Sequence, residues 1–465
     1  LYKNRKLTQH LEDNCTEGSS VVAKHSMRAM AALGQEHFDK LVNKCTAELS
    51  LGPKLPAVLR VLLEITKASP EDIASDSAEI QDFVTKKLLR NVWPAGGKKP
   101  AAAEARALGM KLAAALLVNA GEHATTAMCD AVLGVLVGMI NSGGEVGKES
   151  GVPRADKATL RLVAGSCILR VARAYPDLVT PQAFSALGSL FEDEESRVKQ
   201  TMIKKVFKSR IKTQGALPLQ YAGLLCLVAH DSEHQTVELA KKVLKSIVAS
   251  VIKIKQQTGK AHVAIIPERM LAWLVYVLAV HPEYASEENG ASVSIAYKKY
   301  LDFFINIMLA MPAEEQCAGG ITQLFKHLRK CSIQPAAAGD AEPKDVARNL
   351  SLLSQTGTQV SQRLQGSKFS GHYASMHKIV DACIYAESGD AAQTEPAHAR
   401  TPQKPAVSER SNPASPVAFS GRDISSDASA SSNASQQRTQ QSTKARAPGG
   451  AQKRARVEVP TEEED

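Results

Sequence analysis

The chain has 465 residues, of which 44% are hydrophobic and only 5% aromatic. That is enough apolar material for a large core, and the abundance of Ala, Leu and Val favours stacked helices over strands. The length excludes a single small domain and leaves several globular domains or one elongated array. A formal net charge of +9 permits an acidic partner without demanding one, because part of the excess lies near the C-terminus.

Helical segments follow one another from about residue 20. Apolar and small residues at helical spacing predict helices over 21–33, closed by Gly34, and over 38–49, ended by Gly52-Pro53. Helices over 57–67 and 80–92 follow, stopped by Trp93-Pro94. A Pro-, Gly- and Lys-rich connection spans 94–103, and another helix pair covers 104–118 and 125–140. A second, Gly-rich connection spans 141–156 and leads into a helix over 157–173.

The stretch 180–230 carries the clearest repeat unit. A short apolar segment ends at Phe191, and the acidic run Glu192-Asp193-Glu194-Glu195 follows. An amphipathic helix then runs from Arg197 to about Lys212, with Val198, Met202, Ile203, Val206, Phe207 and Ile211 on one face. The acidic run lies where a helix N-terminus favours negative charge. Asp193 and Lys199, with Val198 between them, stand where HEAT repeats often carry an Asp and a Val-Arg pair. Pro218 opens a further apolar helix over 219–229.

Helices are predicted over 236–254, 268–280 (with Pro267 in its first turn), 297–311 and 314–330. A small-residue loop covers 334–345, overlapping a connection near 332–344, before a helix over 345–363 and a weaker one over 373–385. No alternating strand pattern is evident. Helix pairs recur at intervals of roughly 40 residues, the period of HEAT and armadillo arrays. One such pair cannot bury its apolar face alone, whereas stacked pairs can. The expected fold is therefore an all-α HEAT/armadillo-type solenoid over 1–387. A compact helical bundle is the alternative.

From about residue 388 to 465 Ser, Ala, Gln, Pro and Thr dominate, and this tail is expected to be disordered. Thr401-Pro402-Gln403-Lys404 fits a proline-directed kinase site, and Ser415-Pro416 is a weaker one. Lys444, Arg446, Lys453, Arg454 and Arg456 form two clusters that read as a nuclear localisation signal. The chain begins at Leu1 without a methionine, which is expected of a processed chain or, in preference, a fragment of something longer, and no basic, apolar leader is read at its start. The most apolar helix, 270–280, is too short to span a bilayer, so no membrane contact is expected. Eight scattered cysteines, none in a C-x-x-C pair, read as reduced thiols of an intracellular protein.

No enzyme site emerges. The stretch from Gly143 to Ser150 has the wrong spacing for a phosphate-binding loop, puts Glu149 at the hydroxyl position and follows no strand. His230 and His234 have a zinc-like spacing but straddle a turn without further ligands. Gly165-Ser166-Cys167 lies mid-helix and is no nucleophile elbow. Neither cofactor nor metal is expected. What remains is charged surface: Lys199, Lys204, Lys205, Lys208 and Lys212 on one helix, and Lys241, Lys242 and Lys245 on the next. If the two helices lie side by side, these lysines are candidates for contact with an acidic peptide or, weakly, with the DNA backbone. Ordinary solvated helix faces are the plainer alternative.

Ordered landmarks carry a family resemblance. Leu160-Arg161-Leu162-Val163-Ala164-Gly165-Ser166, Asp193-Glu194 followed by Val198-Lys199-Gln200, and Leu217-Pro218-Leu219-Gln220-Tyr221 followed by Ala229-His230-Asp231 come in this order. Ile266-Pro267-Glu268, Leu278-Ala279 and Pro282-Glu283-Tyr284 complete the series. Over about residues 20–364 the chain resembles the C-terminal half of the "precocious dissociation of sisters" cohesion regulators. It departs from them in Lys199 where the family has Arg, in Val280-His281 before Pro282, and in its tail. The resemblance implies a non-enzymatic, hook-shaped HEAT scaffold on chromosomes in the nucleus. It implies binding to the cohesin kleisin and ring subunits, cooperation with the wings-apart-like release factor, and support of the cohesin acetyltransferase. A nuclear transport receptor of the solenoid type is the alternative function.

Overall fold

The computed structural model describes residues 5–34, 38–92, 99–147, 152–210, 216–258, 266–284, 290–312, 317–364 and 379–387. All of them belong to one compact unit, Leu1–Ala397. Polar caps and prolines punctuate apolar runs, so helix follows helix. Ser19, Thr125 and Thr180 each accept the backbone N–H three residues on, which satisfies a donor left over at a helix start.

The helices are α1 (Arg5–Glu17), α2 (Ser20–Ala32), α3 (Asp39–Ala47), α4 (Leu55–Ala68), α5 (Ser77–Asp82), α6 (Lys99–Asn119), α7 (Thr126–Asn141), α8 (Arg154–Ala174), α9 (Pro181–Ser189) and α10 (Ser196–Arg210). After a 3-10 helix, Leu219–His230, come α11 (His234–Thr258), α12 (Glu268–Ala279), α13 (Gly290–Leu309), α14 (Ala318–Leu328), α15 (Pro335–Ala338) and α16 (Pro343–Ser361). Two three-residue strands, β1 (Cys331–Ile333) and β2 (Tyr385–Glu387), pair antiparallel with Ser332 opposite Ala386.

The helices stack in two rows. One row runs α2, α4, α6, α8, α10, α11, α13 and α16, each packed on the next. The other runs from the π-helical turn Phe83–Leu88 that extends α5, through α7, α9 and the 3-10 helix, to α12 and α14. The chain alternates between the rows, and the core lies between them. The fold is the all-α solenoid that the helical period predicts. No helix among the described residues is long and apolar enough to cross a membrane.

Several local expectations are corrected. The connection at 94–103 is shorter, because α6 already begins at Lys99; Pro100 fits its first turn, and the alanines that follow favour helix. The segment 219–229 is a 3-10 rather than an α-helix, buried on every side. At its Gly223 an added Cβ would lie 2.5 Å from the Met270 carbonyl oxygen. The connection at 332–344 and the loop at 334–345 hold part of β1, the short α15 and the first residues of α16.

The helix expected over 373–385 is replaced, over 379–385, by a turn that leads into β2, while 373–378 lie outside the described residues. Strands of three residues are too short for alternation to register in a sequence. They form because the segment 379–387 is tied down elsewhere. Asp381 accepts from Arg269 Nη2 at 3.0 Å and from Trp273 Nε1, and the Tyr385 hydroxyl donates to the Ala272 carbonyl at 2.6 Å. The tail at 388–465 lies outside the described residues, and with it the expectation of disorder.

Candidate functional site

Three neighbouring helices of one row, α10, α11 and α13, present the basic surface. On α10, Val198, Met202, Ile203 and Val206 are buried, which leaves Lys204 and Lys208 exposed on the other side. On α11, Ala240, Val243, Leu244, Ile247 and Val248 are buried, and Lys242 and Lys245 are exposed. On α13, Val293, Tyr297, Tyr300, Leu301 and Phe304 are buried, while Lys298 and Lys299 face solvent. None of these six exposed lysines has an ion-pair partner within 4.0 Å among the described residues.

The other lysines singled out from the sequence fare differently. Lys199 is withdrawn from the surface: its Nζ lies 2.7 Å from Asp231 Oδ2, with side-chain exposures of 12% and 4%. It projects towards the turn before α11, so its charge ties two repeats together. Lys205 is half-buried. Lys241 is half-buried and paired with Glu238 at 2.7 Å, one helical turn away. Lys212 lies outside the described residues, as do Lys444, Arg446, Lys453, Arg454, Arg456, Thr401 and Ser415.

Lys298 and Lys299 were missed by the sequence reading. The signal was a lysine doublet in a helix otherwise rich in Tyr, Phe and Ile. The expected helix start at residue 297 hid the preceding exposed turn, because α13 begins at Gly290.

Between α11 and α13 runs an open cleft of about 730 Å³. Lys241, Lys245, Lys298 and Lys299 line it, together with Ile295, Phe303 and Ile307. It also holds acids, but each is engaged. Asp231 is paired with Lys199, Glu238 with Lys241, and Asp302 with Arg363. The Lys241 ammonium and the Thr, Ser and Gln partners around this region hold the Glu238 and Glu233 carboxyls below their usual range by hydrogen bonding. The net charge left facing the cleft comes from Lys245, Lys298 and Lys299.

The acidic run before α10 is used internally. Glu192 accepts from the Tyr300 hydroxyl at 2.8 Å and lies 2.9 Å from His281 Nε2. Burial beside that carboxylate drives the Tyr300 phenol far above its ordinary value. Asp193 accepts two hydrogen bonds from Arg161, and the Arg154 guanidinium lies 3.4 Å from Glu194 and 2.5 Å from Glu195. His230 sits with Nε2 3.1 Å from the Ala296 carbonyl and its ring edge-on to Tyr300 at 4.5 Å. His234 is exposed at the start of α11, and no metal-holding cluster occurs among the described residues. Gly143 and Gly144 take left-handed backbone angles that close α7, and Arg161 Nη1 donates to the Gly143 carbonyl at 2.7 Å.

A model of the family described as "Sister chromatid cohesion protein PDS5 protein" matches residues 1–368. Sister chromatid cohesion protein PDS5 homolog A-B of Xenopus laevis is 24% identical over 268 residues, 54% of this chain and 20% of that relative. PDS5 homolog A of Homo sapiens is 24% identical over 241 residues, 48% of this chain and 18% of that relative. PDS5 homolog B of Mus musculus is 25% identical over 183 residues, 38% of this chain and 12% of that relative. The chain thus spans no more than about a fifth of the length of these curated relatives. The family match takes in the whole solenoid up to the end of α16, Arg161 and Asp193 and the basic ridge included, and on that match the chain belongs to the PDS5 family of sister chromatid cohesion proteins.

Proposed function

We propose that the chain is a non-enzymatic scaffold that binds cohesin and regulates sister-chromatid cohesion, both its maintenance and its release. The observation that carries this reading is the family match over residues 1–368, which covers both rows of stacked helices among the described residues. Such stacks offer long surfaces on which several partners bind side by side. The partners are the kleisin and ring subunits, the wings-apart-like release factor and the cohesin acetyltransferase. The chain acts on chromosomes in the nucleus.

The exposed lysines Lys204, Lys208, Lys242 and Lys245, extended by Lys298 and Lys299, serve as the surface for an acidic partner, with weak DNA-backbone contact as a secondary use. Lys444, Arg446, Lys453, Arg454 and Arg456 direct nuclear import. Phosphorylation at Thr401 and Ser415 adds charge that creates or repels contacts.

The test is an affinity purification of the tagged full chain from nuclear extract, read by mass spectrometry. Recovery of kleisin and the ring ATPases supports a cohesin scaffold. Recovery of a small transport GTPase and nucleoporins without cohesin overturns it in favour of a transport receptor.

A further inference from the structure

The cleft between α11 and α13 combines two features that ordinary solvated helix faces lack together. The first is uncompensated charge. Lys245 on one wall and Lys298 and Lys299 on the other have no ion-pair partner within 4.0 Å among the described residues, while the acids nearby are held by Lys199, Lys241 and Arg363. The second is apolar surface. Ile295 on the rim is 72% exposed, more than any other large apolar side chain among the described residues, and Phe303 and Ile307 form the floor.

A helix facing water has no physical need for an isoleucine there, and α13 has polar and small residues on its other exposed positions. A ligand that suits the cleft presents carboxylates to the rim and an aliphatic side chain to Ile295. A nucleic-acid backbone fits less well, since its phosphates meet the lysines but leave the isoleucine in water. Peptide docking instead uses apolar anchors for affinity and charges for orientation and encounter. The cleft, at about 730 Å³, is of the size that takes a few side chains.

We propose that this cleft docks an acidic peptide segment of a partner protein, with Lys245, Lys298 and Lys299 meeting its carboxylates and Ile295 its aliphatic side chains. The proposal rests on reading the chain as a protein-binding scaffold, and not on cohesin being the complex it binds.

Fluorescence anisotropy with the purified full chain tests it. The probe is a fluorescein-labelled peptide of Glu and Leu in amphipathic helical order. The controls are the same peptide with Gln for Glu and a labelled double-stranded DNA oligonucleotide. The Glu/Leu peptide is expected to bind, the Gln/Leu peptide more weakly. The combined variant Lys245→Glu/Lys298→Glu/Lys299→Glu is expected to weaken the Glu/Leu peptide by about tenfold or more, in line with reversal of close interfacial charges.

Ile295→Asp is expected to weaken the peptide as well, without changing any binding of DNA. Lys40→Glu/Lys87→Glu, the same kind of charge change at exposed positions on α3 and the π-helical turn that do not line the cleft, is expected to leave peptide affinity nearly unaltered. All these positions are exposed, and an unchanged melting temperature verifies that the variants fold. Three results would overturn the proposal: no peptide binding, peptide binding indifferent to both cleft variants, or DNA binding that depends on the three lysines while the peptide does not bind. The last would assign the surface to a phosphate backbone. None of these readouts involves cohesin, so a failure here and a failure of the cohesin purification are separate results.

Discussion

Arg161 in α8 grips Asp193 in the turn before α10, with Nε donating to Oδ2 at 2.7 Å and Nη2 to Oδ1 at 2.9 Å. Lys199 in α10 forms the corresponding, single ion pair with Asp231 in the turn before α11, at 2.7 Å. In both pairs the basic residue stands 32 positions before its acid, and the second pair follows the first by 38 positions. Each aspartate also accepts the backbone N–H two residues on, from Glu195 at 2.8 Å and Glu233 at 2.9 Å, which shapes the turn into its own helix. One side chain therefore organises a turn and fastens it to the preceding repeat.

Removing Asp193 leaves the buried Arg161 guanidinium with exposed Glu194, at 3.6 Å, as its remaining ion-pair partner among the described residues. Asp193→Ala is expected to destabilise the solenoid by about 3–5 kcal/mol, whereas the paired change Arg161→Met/Asp193→Leu costs far less. Denaturant unfolding midpoints of the three proteins check this. Equal losses for the single and paired changes would show that the charges are immaterial and only the packing matters.

The lysines of α10 divide by function. Lys199→Glu sets a second carboxylate against buried Asp231 and is expected to lower the melting temperature markedly. Lys208→Glu, at an exposed position with no ion-pair partner among the described residues, is expected to shift it by little, within about 0.5 kcal/mol. Parallel thermal melts at low and moderate salt distinguish the two.

Two glycines make opposite predictions. A Cβ on Gly223 would meet the Met270 carbonyl oxygen at 2.5 Å, and backbone cannot swing aside as a side chain does. Gly223→Ala is thus expected to destabilise by about 1–3 kcal/mol through overpacking. Gly134, within α7, has nothing within 4 Å of the same added atom, so Gly134→Ala gains helix propensity and stabilises by about 0.5–1 kcal/mol. Calorimetric melts of both variants give the signs directly.

Burial, aided by neighbouring acidic groups, pushes the Cys15 and Cys45 thiols up to about 12 from an ordinary 9.0. At pH 8 their thiolates amount to about one in a thousand or less, so iodoacetamide should label exposed Cys383 well before either. Because the folded pKa lies above the unfolded one, this contribution to stability is complete below pH 9.0 and is lost as pH rises towards about 12. Stability should therefore decline over that alkaline range, and Cys15→Ser/Cys45→Ser should flatten the decline. An equally steep decline in the variant would count against the assignment.

The helices were legible because their signals are local. Val198, Met202, Ile203 and Val206 fall on one face by spacing alone, and Thr125 and Thr180 mark helix starts through their own hydroxyls. The landmarks around Arg161, Asp193 and Pro218 were sufficient to indicate the family, and the alternation of apolar runs to indicate the solenoid. The basic site was half legible: the period separates the solvent side of a helix from its core side, but not solvent from a neighbouring repeat.

The sequence by itself thus determined the class of fold, the order of its helices and the family. Tertiary structure decided that Lys199 points into Asp231, that Lys298 and Lys299 join Lys245 across a cleft, and that Cys331–Ile333 finds a strand partner some 54 residues away. The reason is physical. Helical period and capping act over one or two turns of chain, whereas a charge's partner, a strand's mate and the covering of a helix face depend on groups brought together only when the repeats stack.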